Sequence, residues 1–365
     1  MHKINFTLIM TNPRFIQWRQ KMHQAVDGMF TNLNFKQNLS AWLICAGLTM
    51  ACASVWAQTS SAATTTQAQA LTGCPSETIL AKFKDFGQTG KMPPDLGRWL
   101  GDPKAQYIEP YKAFDNVYYV GVCWVSAWIV KTSSGVVLID TLHEPFVDQL
   151  IENIKKVGVD MADIKYVLMT HGHFDHVGGA YKIQTLTNAK FVMTQAGWDE
   201  AFEDSAASEK TPRPWKMMSK RGTVVKYGDV ITLGDNQFGV FETPGHTYGT
   251  VSYSFYVQDG KDKHRAFTIG GLGLNAIQDS RQVEAYIASV NRIEQLAKQA
   301  KDPITVHLTT HPFSTGLTEA KELLKTRQPN SKHPLVDPNG FTSQLTELRA
   351  DAVARLAVEQ RKEKK

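Results

Sequence analysis

The sequence predicts an α+β protein in which two β-sheets pack together with helices on the outside. Strand-like segments come in runs instead of alternating one by one with helices. Helical segments are inserted between those runs in both halves of the chain, and the pattern of the first half largely repeats in the second. With 365 residues, 42% hydrophobic and 21% charged, the chain has the composition of a folded soluble protein of one large domain or two modest ones.

Residues 1–57 read as a targeting segment. Five of the 40 Lys and Arg residues (Lys3, Arg14, Arg19, Lys21 and Lys36) fall there against a single acid, Asp27. An uncharged run, LSAWLICAGLTMACASVWA, then ends in Val55-Trp56-Ala57, a small-x-small cleavage pattern that would make Gln58 the first mature residue. This is a signal peptide with a long n-region, or translation starts at Met22 or Met29. A retained membrane anchor is the rival reading, but no charged stop-transfer patch follows the run. A lipoprotein through Cys52 would have Thr49 where a lipobox wants leucine. Export implies a periplasmic or secreted protein with no stable membrane partner after cleavage. Cys45 and Cys52 would leave with the leader, and an oxidising compartment would allow the remaining Cys74 and Cys123 to pair. Beyond residue 57 basic and acidic residues nearly balance, which gives no footprint for nucleic acid.

Residues 58–115 read as a polar leader (SAATTTQAQA) followed by an irregular arm rich in Gly, Pro and aromatic residues; the main domain is 116–365. NVYYVG opens the regular structure. SAWIVKT and GVVLIDT flank Ser133-Ser134-Gly135 as a hairpin. EPFVDQLIENIKKVG places Phe146, Val147, Leu150, Ile151 and Ile154 on one helical face and stops at Gly158. A buried strand (IKYVLMT), a histidine-rich loop, a helix around AYKIQTLTN and a strand (KFVMT) follow. After a connection at 209–222, TVVKYG and VITLG predict a second hairpin across Gly228-Asp229. FGVFETPGHT, TVSYSFYV and HRAFTIGG read as strands, DSRQVEAYIASVNRIEQLAKQA as a long amphipathic helix, and ITVHLTTH as a closing strand before two terminal helices.

The histidine loop carries the chemistry. His171, His173, Asp175 and His176 fall within six positions, bracketed by Gly172, Gly178 and Gly179. In extended or looping backbone, residues two apart point the same way, so His171 and His173 can share one ion. Asp175 and His176 are adjacent, face differently, and suit a second ion beside it. A lone histidine is more often satisfied by ordinary hydrogen bonds, but four ligand-type residues directly after a buried strand favour metal. Imidazole with carboxylate suits zinc, and the absence of thiolate argues against an iron–sulfur cluster. His246, after a Pro-Gly corner, and His311, before Pro312, bring the set to five His and one Asp. That is three ligands for each of two zinc ions, with positions open for hydroxide and substrate.

THGHFDHVGG, TPGHT and TTHP, in this order and spacing, resemble the metallo-β-lactamase superfamily from about Asn116 to the C-terminal helix. The resemblance implies an αββα sandwich, with one zinc taken by His171, His173 and His246 and the other by Asp175, His176 and His311. Many superfamily hydrolases, glyoxalase II and the lactonases among them, carry a bridging Asp where this chain has Gly271, and the first β-lactamase subclass has a cysteine near there. AFTIGGLGLN contains neither, and in this the chain is most similar to the third subclass of class B β-lactamases. It departs from that subclass at Ile269-Gly270-Gly271, where an alanine-aspartate-serine segment is usual.

What the resemblance implies is an exported enzyme that opens the β-lactam amide of a small-molecule substrate with a metal-bound hydroxide, Asp175 orienting or shuttling the proton. The alternatives are a lactone, thioester or sulfate-ester hydrolase of the same fold, or a zinc-binding protein with little catalysis. Asp140, at the end of an apolar strand, is a candidate for orienting a ligand histidine or else a structural turn residue. His143 is a candidate rim residue or an exposed loop histidine. His307, about 13 Å before His311 along a strand, reads as structural, and His264 and His333 as residues of polar loops. No Ser-x-x-Lys, Gly-x-Ser-x-Gly or phosphate-loop motif is present.

Overall fold

The computed structural model describes residues 71, 73–89 and 91–364; the targeting segment and the polar leader expected from the sequence lie outside them. Twelve strands among the described residues form two mixed sheets. The first contains β1 (Tyr111–Phe114), β2 (Val117–Tyr119), β3 (Trp128–Thr132), β4 (Gly135–Ile139), β5 (Ile164–Leu168), β6 (Lys190–Thr194) and β7 (Thr223–Val225), in chain order. Its first four strands pair antiparallel and its last three join in parallel. The second sheet contains β8 (Val230–Leu233), β9 (Asn236–Glu242), β10 (Val251–Asp259), β11 (Asp262–Thr268) and β12 (Ile304–His307), in the order β12-β11-β10-β9-β8.

Alternating side chains from the two sheets build the central core. Val130, Val137, Ile139, Leu168 and Val192 of the first sheet meet Phe238, Val240, Tyr253 and Phe255 of the second. The outer face of the first sheet is covered by α3 (Val147–Lys156), α5 (Ala180–Ile183) and α6 (Gln195–Ser208), whose apolar stripes include Leu150, Ile154, Ile183 and Trp198. The outer face of the second is covered by α7 (Ser280–Ala297) and α8 (Pro338–Glu363), through Val283, Tyr286, Val290, Phe341 and Leu345. This is the expected sandwich, and the predicted β3–β4 hairpin closes with Thr132 opposite Gly135.

Two expectations are corrected. The arm is not irregular: it holds α1 (Ser76–Thr89) and α2 (Pro94–Leu100), and β1 precedes residue 116. Its Pro and Gly punctuate helices instead of preventing them. Pro94 begins α2, where its missing N–H costs nothing, and Gly101 ends it. Ile79 and Phe83, one turn apart, turn α1 onto the central core. The second predicted hairpin is a crossover. Gly228 does turn the chain, at φ +86°, but β7 pairs in parallel with β6 while β8 pairs with β9 in the other sheet. Each short strand therefore finds a longer partner than the other offers, which periodicity alone cannot reveal.

Phe238 and Phe255 stack between the sheets with ring centroids 5.4 Å apart and are fully buried. Phe238→Ala should lower unfolding stability by about 3–5 kcal/mol, read as a lower denaturant midpoint at unchanged slope.

Candidate metal centre

β4, β5, β9 and β12 end along one edge of the sandwich. The chain leaving β5 is held by both sheets: Met169 N–H donates to Val192 O at 3.0 Å, and Thr170 O accepts from Val251 N–H at 2.8 Å. His173 then caps the short helix α4 (Phe174–Val177) in extended backbone, and Asp175 and His176 lie within that helix. The switch from extended to helical backbone separates the cluster in two. Asp175 and His176 diverge by about 100° around the helix, away from the direction His171 and His173 share.

Three ring nitrogens converge. His173 Nδ1 lies 3.1 Å from His171 Nε2 and 3.1 Å from His246 Nε2. A ring nitrogen makes one in-plane hydrogen bond, so both contacts cannot be ordinary ones. Two nitrogens bound to one tetrahedral zinc would sit roughly 3.4 Å apart, close to what is observed. A second group, His171, Asp175 and His176, adjoins the first and shares His171 with it. His176 Nε2 is 3.4 Å from Asp175 Oδ2 and is fully buried without a hydrogen-bond partner. His311 stands beside His176, ring centroids 5.1 Å apart, edge to face. Five donors thus converge in two groups that do not include His311, which stands beside them, and the unbonded His176 nitrogen is where a bound cation would sit.

The opposite ring nitrogens are already committed. His176 Nδ1 donates to Asp140 Oδ2 at 2.8 Å, His246 Nδ1 to Gly273 O at 2.6 Å, and His311 Nδ1 to Trp124 O at 2.8 Å. His171 Nδ1 meets Thr170 Oγ1 at 3.2 Å, and that hydroxyl donates to Asp140 Oδ2 at 2.9 Å. Thr170 N–H also donates to Asp140 Oδ1 at 2.9 Å. These partners fix tautomer and ring direction. Burial, reinforced by the surrounding imidazoles, holds His171 well below its usual pKa; burial likewise lowers His246 and His311 to about 4. All three therefore present neutral, ligand-competent rings at neutral pH. Burial opposes ionisation of Asp175, yet the neighbouring His176 outweighs it and holds the carboxyl well below its usual range.

Asp140 is at the site as a hydrogen-bond hub and not merely as a turn residue. His143 is neither an exposed loop histidine nor on the rim. It is buried among Trp124, Phe146 and Phe174, and burial lowers its pKa to about 4. His307 is away from the donors, against Phe341 and bonded to Gln344. His264 is not in a loop: it lies half-buried within β11, 3.5 Å from Thr305 Oγ1. His333 is buried, stacked on Phe114 at 4.0 Å with Nε2 on Ala113 O, which its polar sequence neighbours conceal.

Sequence reasoning does not find Thr170, the Trp124 and Gly273 carbonyls, or one ridge of α7. Gln282 donates to Gly245 O, Tyr286 OH to Leu272 O and Ser289 to Pro244 O, pinning both loops that grip His246. Their spacing of four and three residues is that of one helix face, a signal visible only once the partner loops are known. Gly271 packs directly on the His246 ring: a Cβ there would lie 2.5 Å from His246 Cβ. Gly245, at φ +151°, admits no side chain against Tyr286.

A sequence model of the metallo-β-lactamase superfamily matches residues 120–259. BJP-1, a subclass B3 metallo-β-lactamase of Bradyrhizobium japonicum, superposes with a TM-score of 0.59 at 27% identity, over 70% of this chain and 96% of that one. Native FEZ-1 from Legionella gormanii, at 24% identity, shares the fold with a TM-score of 0.63 over 70% of this chain and 98% of that one. Among curated proteins, a hydroxyacylglutathione hydrolase of Maricaulis maris is 35% identical over 113 residues, 31% of this chain and 36% of that protein. An N-acyl homoserine lactonase, AttM of Agrobacterium fabrum, is 26% identical over 174 residues, 44% of this chain and 63% of that protein. The chain thus spans less than two thirds of the length of these curated relatives.

Asp140→Asn should leave the protein folded by circular dichroism and weaken zinc binding about 10–100-fold in competition with a chromophoric chelator. Gly271→Asp should displace His246 instead of adding a ligand. Metal titration is expected to show weaker binding, and metal held as tightly as by the unaltered chain would contradict the packing account.

Proposed function

We propose that this member of the metallo-β-lactamase superfamily is a zinc-dependent hydrolase whose substrate is a β-lactam. The observation that carries the reading is the composition of the second donor group. It contains His176 and no bridging aspartate, and the position where other superfamily hydrolases keep that aspartate is a glycine packed on His246. The likeness to subclass B3 structures over nearly their whole length supports the same branch.

In this reading His171, His173 and His246 hold one zinc ion, and Asp175, His176 and His311 the other. When bound, the ions supply a Lewis acid for the carbonyl and a water of lowered pKa. The chain's residues do the rest. Neutral imidazoles at His171, His246 and His311 keep their lone pairs free. Asp175, ionised and buried beside them, is placed to orient the attacking water and pass its proton toward the leaving nitrogen. Trp124 and Phe174, half-buried and edge to face with centroids 6.0 Å apart, form an apolar wall beside His143 that limits water at the site. Export to the periplasm through residues 1–57 belongs to the same proposal. A second reading, a thioester or lactone hydrolase, is favoured by the names of the curated relatives.

The test is metal analysis with hydrolysis of nitrocefin, imipenem, a lactone and a thioester, with and without chelator. Two zinc ions and chelator-sensitive opening of the β-lactams are expected. Turnover of the lactone or thioester alone would move the assignment to the second reading, and metal without any turnover would overturn both. His171→Ala and His246→Ala should each abolish hydrolysis in a protein that still folds; normal turnover in either would remove the assigned centre.

A further inference from the structure

His311 differs from the other five donors in how it is held. His171, His176 and His246 take their orientation from Asp140, Thr170 and Gly273, on loops fastened to the sheets or to α7. His311 lies four residues beyond the end of β12, and its Nδ1 is oriented by one carbonyl, Trp124 O, in the turn between β2 and β3.

The N-terminal arm grips both parties to that bond. On the turn, Cys123 is joined to Cys74 by a disulfide, so a covalent link to the arm sits one residue from the orienting carbonyl. Cys123 N–H also donates to Gln106 O at 2.9 Å, and Trp124 N–H to Gln106 Oε1 at 2.8 Å. Gln106 is fully buried, and its amide nitrogen donates to Trp99 O at the end of α2. Trp99 Nε1 in turn donates to Gly73 O, next to Cys74. On the other party, Phe313 stacks on Phe83 of α1, centroids 4.9 Å apart and planes at 13°. Thr318 Oγ1 donates to Cys74 O, and the Ser76 amide and hydroxyl donate to the Glu319 carboxylate at 3.1 and 2.7 Å.

We propose that residues 73–124 form a disulfide-locked clamp that positions His311, so that the Cys74–Cys123 bridge sets affinity at the second metal position and leaves the first nearly untouched. The proposal rests on the reading above that His311 ligates the second ion. Its residues are positioning residues: none touches the reacting atoms.

The experiment compares the full chain with the Cys74→Ser/Cys123→Ser double variant by stepwise zinc titration against a chromophoric chelator, and by the visible spectrum of successive cobalt(II) equivalents. In the double variant the second equivalent should bind about 10–100-fold more weakly, with its spectral band shifted or lost, while the first stays within about twofold. Equal weakening of both equivalents, or of neither, would overturn the clamp. Phe83→Ala breaks the grip on Phe313 and keeps the bridge, so it tests the same idea should the double variant not fold. It is expected to weaken the second equivalent alone, and an unchanged second equivalent overturns the proposal. His311→Ala separates the two levels: a second equivalent that survives this substitution refutes the ligand assignment itself, whatever the cysteine variant does.

Discussion

The site depends on one buried carboxylate. Asp140 follows β4 directly at φ +60°, a left-handed backbone that few residues other than glycine adopt readily, and is almost wholly removed from water. A charge so placed is tolerable only with a full set of donors. It has three: Thr170 N–H on one oxygen, and Thr170 Oγ1 and His176 Nδ1 on the other. Through the Thr170 hydroxyl it reaches His171, and directly it reaches His176, so one group orients a donor from each half of the cluster. Thr170 is also where the carbonyl accepts from Val251 of the second sheet. The hub is thus tied to both layers of the sandwich, and the spacing of the donors inherits the spacing of the sheets.

That arrangement explains why the pocket suits a cation. Five imidazoles and one carboxylate crowd together, with His171, Asp175, His176 and His246 buried and His173 and His311 partly exposed, and burial keeps His171, His246 and His311 neutral. Neutral rings whose outer nitrogens are already engaged have one direction left in which to offer a lone pair. His176 stands apart from them: with Nδ1 on Asp140 and Nε2 3.4 Å from Asp175 Oδ2, the two carboxylates overcome burial and raise its pKa to about 10, so that without metal a proton takes the place of the cation. Such a cluster is poor as a structural core and coherent as a cation cage.

Much of this was legible in the sequence because it is local. The sandwich class, the β3–β4 hairpin and the division of HGHFDH into two pairs follow from periodicity, turn chemistry and side-chain direction over a few residues. What was not legible is set by long-range partners. The Pro and Gly of the arm look like breaks until α1 and α2 are seen to begin and end at them. The turn at Gly228 looks like a hairpin until each flanking strand is found beside a different sheet. His143 and His333 lie among polar neighbours in sequence, yet each is buried against aromatic rings supplied from elsewhere. The carbonyls of Trp124 and Gly273 leave no trace in sequence at all, since any residue has one.

The proposed branch of the superfamily rests on a missing side-chain carboxylate, and its absence has a physical reason. At position 271 that reason is steric. A Cβ would meet three atoms of His246 at 2.5 to 2.7 Å, while at 270 it would lie 2.0 Å from Val251 O, the backbone at the start of β10. His246 cannot retreat, because its Nδ1 is on Gly273 O and its turn is held by Gln282 and Ser289 of α7. A side-chain carboxylate at 271 and His246 in its present place therefore exclude each other. The two glycines are the condition for bringing main chain and histidine together, so the lost alanine-aspartate-serine pattern does not by itself signal a decayed site. With no side chain available from this wall, the proposed second metal position draws on the other side, where His176 and His311 stand together.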